Sequence, residues 1–240
     1  MNILITGGAS GLGEAITRRL AKESDTSIYF TYNGSLPNAK ILENEFPNTT
    51  AIKCDFKNSS EVNSLKDKIS TLDLDVLINN AYTGEPIKTY FHRIPPEDFS
   101  AEFSDNIIPA VILTQAVINN FRKKKRGKII TILTSFLLNT PPAGSAVYVA
   151  NKAYLKSLVK SWATENVKFN ITSNSVSPAF MLSNFTKDVD ERVIEQMIES
   201  HPLKRILTTG EVAESVLFLV NASAQINAID IILNAGTNIK

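Results

Sequence analysis

Cysteine is nearly absent from this chain: Cys54 stands alone. One thiol can neither close an intrachain disulfide nor supply the paired cysteines of a structural zinc site. The fold must therefore rest on its apolar core, and a reducing compartment is expected. Histidine is almost as scarce. His92 and His201 lie far apart near prolines, with no second ligand at metal spacing, so no metal site is expected. Charge of one sign is missing too. The 25 Lys+Arg and 24 Asp+Glu leave a net +1, too little to draw the chain to nucleic acid or a membrane surface. No apolar run is long enough to span a bilayer, and no basic-then-apolar leader precedes the first strand. A cytoplasmic protein is the expectation.

What is present is an ordinary globular composition, 43% hydrophobic and 20% charged over 240 residues. An α/β domain of this size buries roughly 70–75% of its unfolded surface, enough to hold without a staple. Apolar strand-like runs alternate with amphipathic helical ones. Strands are expected at 3–5, 27–32, 50–54, 74–78, 128–133, 168–176 and 226–233. Long helices are expected at about 97–123, kinked by Pro109, and at about 145–165. Residues 83–96 read as a loop, 183–199 as an amphipathic helical segment, and 210–219 as the last helix. Alternation with short connections argues for a doubly wound parallel sheet. Nothing divides the chain, so residues 1–240 read as one domain, with substrate-loop helices at about 180–205.

The chain is organised around Thr6-Gly7-Gly8-Ala9-Ser10-Gly11-Leu12-Gly13. The strand Ile3-Leu4-Ile5 runs into it. A helix leaves it with Ile16, Leu20 and Ala21 facing a core and Glu14, Arg18 and Arg19 turned outward. Glycines let backbone N–H groups approach phosphate oxygens, and the helix N-terminus adds about half a positive charge. Such a turn can also be a plain tight turn. The spacing is neither G-x-G-x-x-G nor a P-loop.

Ligands of doubly wound sheets bind outside the carboxyl ends of the strands. The glycine turn, Asp55, Asn79-Asn80-Ala81, Ser135 and Ser177-Pro178 all fall there and outline a slot for a dinucleotide. Tyr148-Val149-Ala150-Asn151-Lys152 carries acid–base chemistry. Residues i and i+4 share a helix face, about 5–6 Å apart, and a neighbouring ammonium lowers a phenol's pKa. Ser135, thirteen residues upstream at a strand end, is placed to hydrogen-bond a substrate oxygen. Tyr-x-x-x-Lys pairs are common on helices; the order of the motifs gives this one its weight.

That order resembles the short-chain dehydrogenase/reductase family over nearly the whole chain. Thr6–Gly13 is similar to its T-G-x-x-x-G-x-G turn and Asn79-Asn80-Ala81 to its N-N-A-G motif. Asn106, Ser135, Tyr148 and Lys152 match its catalytic tetrad. Pro202-Leu203-Lys204-Arg205 with Thr209–Ala213 is similar to the 3-oxoacyl-acyl-carrier-protein-reductase-like members. The resemblance implies a seven-stranded parallel sheet in the order 3-2-1-4-5-6-7. It also implies hydride transfer between a nicotinamide and a carbonyl or secondary alcohol, a 3-oxoacyl thioester among the candidates. Tyr148 would be the acid/base, with Lys152 holding the nicotinamide ribose and lowering the tyrosine pKa. Ser135 would orient the carbonyl and Asn106 a relay water. Cofactor contacts would come from Gly7, Ser10, Gly11, Leu12, Gly13, Asn33, Asp55, Phe56, Asn80, Ala81, Tyr148, Lys152 and Pro178. Asp55 has a second reading as a cap, which its place in the family pattern outweighs.

Three departures stand out: Tyr82 in place of the N-N-A-G glycine, Ala179 in place of the glycine of the P-G motif, and Leu233–Gly236 in place of V-D-G-G. Two other readings stay open. One is a sugar or polyol dehydrogenase; the other is a non-catalytic binding protein, for which Tyr82 is the best argument and the intact tetrad the counter-argument. Thr31-Tyr32-Asn33-Gly34-Ser35 ends the second strand with no carboxylate to repel a 2′-phosphate, so NADP(H) is expected over NAD(H). The run Arg122–Arg126 reads first as cations closing a helix C-terminus and second as an acyl-carrier-protein contact. Ile107, Val111, Leu155, Leu158 and Trp162 exceed what one sheet face needs, so a homodimer or homotetramer is expected.

Overall fold

Residues apolar on both sides of a strand need cover on both sides, and Ile3, Leu4 and Ile5, all fully buried, occupy such a strand. The computed structural model describes residues 1–182 and 189–237. Its strands are β1 (Asn2–Ile5), β2 (Ser27–Tyr32), β3 (Thr49–Lys53), β4 (Val76–Asn79), β5 (Gly127–Ile132), β6 (Ile171–Pro178) and β7 (Asp230–Leu233). All pair in parallel, in the order β3-β2-β1-β4-β5-β6-β7, as expected. The helices are α1 (Gly11–Ala21), α2 (Leu36–Glu45), α3 (Ser59–Ile69), α4 (Pro96–Asn106), α5 (Ile108–Lys124), α6 (Ala146–Asn166), α7 (Glu191–Ser200) and α8 (Thr209–Asn221).

The sheet separates two cores. On one face Ile16 and Leu20 of α1, Leu42 of α2 and Val216 of α8 pack on Ile5, Ile78 and Ile130. On the other, Leu65 of α3, Val117 and Phe121 of α5, and Leu155 and Trp162 of α6 pack on Leu4, Leu77 and Ile129. Strand order reverses between β1 and β4, so the cleft for a ligand opens at their carboxyl ends, beside the glycine turn.

Several expectations are corrected. The single helix at 97–123 is two, parted at Ile107, because Pro109 has no N–H to donate to the carbonyl four residues back. The strand expected from 168 begins at Ile171, after a 3-10 turn at Val167–Phe169 that closes with Asn170 at φ +56°. The seventh strand starts at Asp230 rather than 226, after Ala228 at φ +60°. Within 183–199, residues 191–199 are helical and 183–188 lie outside the described residues. Ile107, Leu155 and Trp162 are buried in their own subunit's core, so they leave no surplus surface.

The basic run is built into the amino end of the sheet. Lys124 Nζ donates to the carbonyls of Asp73 and Leu74 and pairs with Asp73 and Asp75, and Arg126 pairs with Asp75. Arg122 donates to Asn166 Oδ1 and lies over the Phe169 ring. Nearby, Lys128 of β5 donates to the carbonyls of Val220 and Ala222, closing the last turn of α8.

Candidate active site

The glycine turn is held from both sides. Thr31 of β2 accepts the Gly7 N–H on its hydroxyl (2.8 Å) and the Gly8 N–H on its carbonyl (2.9 Å), and Thr17 Oγ1 donates to the carbonyls of Gly8 and Gly13. Gly7 sits at φ +66°, and a Cβ at Gly13 would meet the Gly7 carbonyl oxygen at 1.9 Å. Only glycine allows this turn. Ser10 is the N-cap of α1 but makes no side-chain capping bond, so the first N–H groups of that helix face the cleft. An open N-terminus with a turn that no Cβ could enter fits a diphosphate.

β4 supports the turn from the other side. Thr6 Oγ1 accepts the N–H groups of Asn80 and Ala81 at 3.0 Å each, and Asn80 Nδ2 donates to the carbonyls of Thr6 and Gly7. Asn80 thus acts on the cofactor turn as a brace.

A cavity of about 480 Å³ runs from this turn along the strand ends. Gly7, Ser10, Gly11, Leu12, Gly13, Asn33, Phe56, Asn80, Ala81, Tyr148, Lys152 and Pro178 all line it, so the structure gathers nearly every expected cofactor position. Asp55 is not among the described lining residues. Its Oδ1 accepts the Lys57 N–H at 2.9 Å in a local turn that caps no helix, since Asn58 caps α3, and its neighbours Cys54 and Phe56 form the wall. The Cys54 thiol, pushed up to about 12 by burial, is a packed group and no nucleophile.

At the far end, Lys152 is buried and donates to the Ile132 carbonyl at 2.8 Å, with its Nζ 5.8 Å from the Tyr148 ring centroid. Burial lowers Lys152 to about 8. Burial also raises the Tyr148 phenol, to about 12, against a hydrogen bond with Thr134 that works the other way. The expected lowering by Lys152 is therefore absent. Desolvation dominates, and the ammonium is engaged with a backbone carbonyl.

The hydroxyl beside Tyr148 belongs to Thr134. Thr134 lines the cavity and bonds the phenol, whereas Ser135 is not among the described lining residues and opens a 3-10 turn instead. No pattern in the strand marks the choice: Ile129 to Thr134 are all buried, and both hydroxyls lie beyond the end of β5 at Ile132. Asn106 lies behind the cavity wall. Its Oδ1 accepts the Thr83 N–H at 2.6 Å, and its Nδ2 donates to the Glu102 carbonyl at 3.2 Å and to Glu102 Oε2 at 3.1 Å. The sequence reading also missed the apolar walls Phe136, Phe180 and Met181. Single aromatic residues in loops carry no periodicity that would announce them.

A family model described as enoyl-(acyl carrier protein) reductase matches residues 7–238. The chain belongs to the short-chain dehydrogenase/reductase family. This short-chain dehydrogenase/reductase is 33% identical to a 3-oxoacyl-[acyl-carrier-protein] reductase of Rickettsia typhi over 222 residues, 92% of this chain and 89% of that one. It is 30% identical to the Staphylococcus epidermidis enzyme of the same name over 228 residues, 92% of each chain. Its fold is similar to that of a gluconate 5-dehydrogenase from Burkholderia cenocepacia (TM-score 0.86, 22% identity, 98% and 94% covered). It is also similar to that of YwfH, an NADPH-dependent reductase of bacilysin biosynthesis (TM-score 0.89, 21% identity, 100% and 98% covered). As a member of the family, it is an NAD(P)-dependent oxidoreductase. A bound dinucleotide would supply the hydride chemistry, and the glycine turn before α1 is the part of the cavity that would hold its diphosphate. Among the described residues no helix is long and apolar enough to cross a membrane, and no cluster of side chains fits a metal ion.

Proposed function

We propose that this short-chain dehydrogenase/reductase uses NADPH to reduce the ketone of a 3-oxoacyl thioester. One observation carries the reading: the Tyr148 phenol and Thr134 share with the open glycine turn the lining of one continuous cavity. Tyr148 gives its proton to the nascent alkoxide, Thr134 orients the carbonyl, and Lys152 holds the nicotinamide ribose. Asn106 positions a relay water. Phe136, Phe180, Met181 and Tyr82 wall the catalytic end, which suits an acyl chain better than a polyol with its need for hydrogen-bond partners. The similarity to 3-oxoacyl-[acyl-carrier-protein] reductases supports the same class.

NADPH is favoured because Asn33, Gly34 and Ser35 line the cavity at the end of β2 without a carboxylate to repel the 2′-phosphate. An acyl-carrier protein, if it delivers the substrate, approaches at the carboxyl ends of the strands. The run Arg122–Arg126 lies at their amino ends, roughly 20 Å away along a six-residue strand, and its Arg122, Lys124 and Arg126 are tied to Asn166, Asp73 and Asp75. We further propose that the protein works as a homo-oligomer. The test is NADPH and NADH oxidation with an acetoacetyl thioester, a keto sugar acid and a polyol. Turnover of the thioester with NADPH is expected to lead. A lead for the sugar acid or polyol, or tighter binding of NADH, contradicts the proposal.

A further inference from the structure

Tyr82 stands where the family pattern has glycine, and its ring reaches the catalytic groups. Its centroid lies 5.3 Å from that of Tyr148 with the planes at 67°, an edge-on contact. Lys152 Nζ lies 5.7 Å from the same centroid. The Tyr82 hydroxyl donates to Glu102 Oε2 at 2.6 Å, and that oxygen also accepts from Asn106 Nδ2 at 3.1 Å. Glu102 and Asn106 are four residues apart on α4 and so share a face. One carboxylate oxygen therefore joins Tyr82 to Asn106, while the Tyr82 ring touches the other two members of the site.

We infer that Tyr82 and Glu102 are a positioning pair: Glu102 anchors the Tyr82 ring, and the ring fixes the angle of the Tyr148 phenol towards the substrate carbonyl. This rests on the reductase reading above. A phenol ring can turn about its bond to Cβ, and proton transfer demands a short, aligned approach. Edge-to-face packing selects one ring angle, and an anchored partner holds it better than a loose one. In the N-N-A-G pattern, glycine offers no such contact. The pair deepens the site and also narrows it, and it turns Tyr82 from an obstacle to catalysis into a support for it.

The experiment compares the parent with Tyr82→Leu, which removes the ring, and Tyr82→Phe, which keeps it. With NADPH and the acetoacetyl thioester, Tyr82→Leu is expected to lower kcat about tenfold, leaving the NADPH dissociation constant and the thioester KM within about threefold. Tyr82→Phe is expected to restore kcat to within about threefold of the parent. A parent-like kcat for Tyr82→Leu, or an equal loss in both variants, overturns the inference. Should Tyr82→Leu not fold, Tyr82→Met removes the ring with a side chain of greater length. A several-fold loss of kcat at unchanged NADPH affinity then supports the pair, and a parent-like kcat overturns it. If the parent reduces no carbonyl, the reductase reading alone has failed. The pair is then judged by NMR of ¹³C-tyrosine protein, with Tyr148 assigned by its loss in Tyr148→Phe. A Tyr148 ring signal that moves in Tyr82→Leu and stays in Tyr82→Phe supports the pair, and one that moves in neither overturns it.

Discussion

Thr134 and Ser135 are neighbours in the chain and strangers in the site. Counting thirteen residues back from Tyr148 reaches Ser135, and that count misleads, because the connection between β5 and α6 is not a ruler. Both hydroxyls lie just past the end of β5, and the 3-10 turn that starts there leaves Thr134 on the cavity wall and carries Ser135 away from it. Thr134→Ala is accordingly expected to lower kcat/KM by about 10²-fold, with Thr134→Ser retaining most of the activity. Ser135→Ala should stay within about twofold, as a surface change away from the reacting atoms does. Steady-state kinetics with the thioester decide between the two. An equal or larger loss at Ser135 would return the role to the residue that spacing alone selects. At this scale the sequence showed which residue types were needed and came within one position of the hydroxyl. It could not show Glu102, whose part depends on α4 folding back beside Tyr82.

At the scale of elements, three helix N-termini tell three stories. Asn58 caps α3 by accepting the N–H groups of Ser60 and Glu61, and Thr208 caps α8 in a full capping box with Glu211. α1 has a serine in the same position and leaves it unused. Ser35 before α2 and Ser145 before α6 make no side-chain capping bond either; what sets α1 apart is that its uncapped end follows the glycine turn on the cavity wall. Its glycine turn was legible in the sequence because close approach admits no other residue. The exact start of β6 and β7 was not, since left-handed Asn170 and Ala228 interrupt apolar runs that read as continuous. The argument for assembly changes its residues. Ile107, Leu155 and Trp162 are used up inside, while Ile108 at the start of α5 and Tyr154 on α6 remain 41% and 46% exposed. Tyr154 also makes an edge contact with Phe103 of α4, so the exposed apolar groups sit together on one helical layer. Light scattering at micromolar concentration is expected to give at least a dimer mass, and the double variant Ile108→Asp, Tyr154→Asp is expected to reduce it. A monomer mass for the parent contradicts the proposed oligomer.

The whole molecule divides its labour between the two ends of one sheet. The amino ends carry the tied-down cations and the ion pairs of Asp73 and Asp75; the carboxyl ends carry the cleft, with the glycine turn at the switch between β1 and β4 and Tyr148 beyond it. Among the described residues the buried charged side chain is Lys152, at the second end, with its proton affinity lowered by desolvation, and Tyr148 beside it is held neutral. The measurement that tests this account most directly sets Tyr148→Phe against the parent, with NADPH binding and thioester reduction measured on the same samples. The phenylalanine keeps the ring and its packing and removes only the proton. The account predicts an NADPH dissociation constant within about threefold of the parent and a kcat lower by about 10²-fold or more. A folded Tyr148→Phe protein that reduces the thioester at the parent's rate would contradict it.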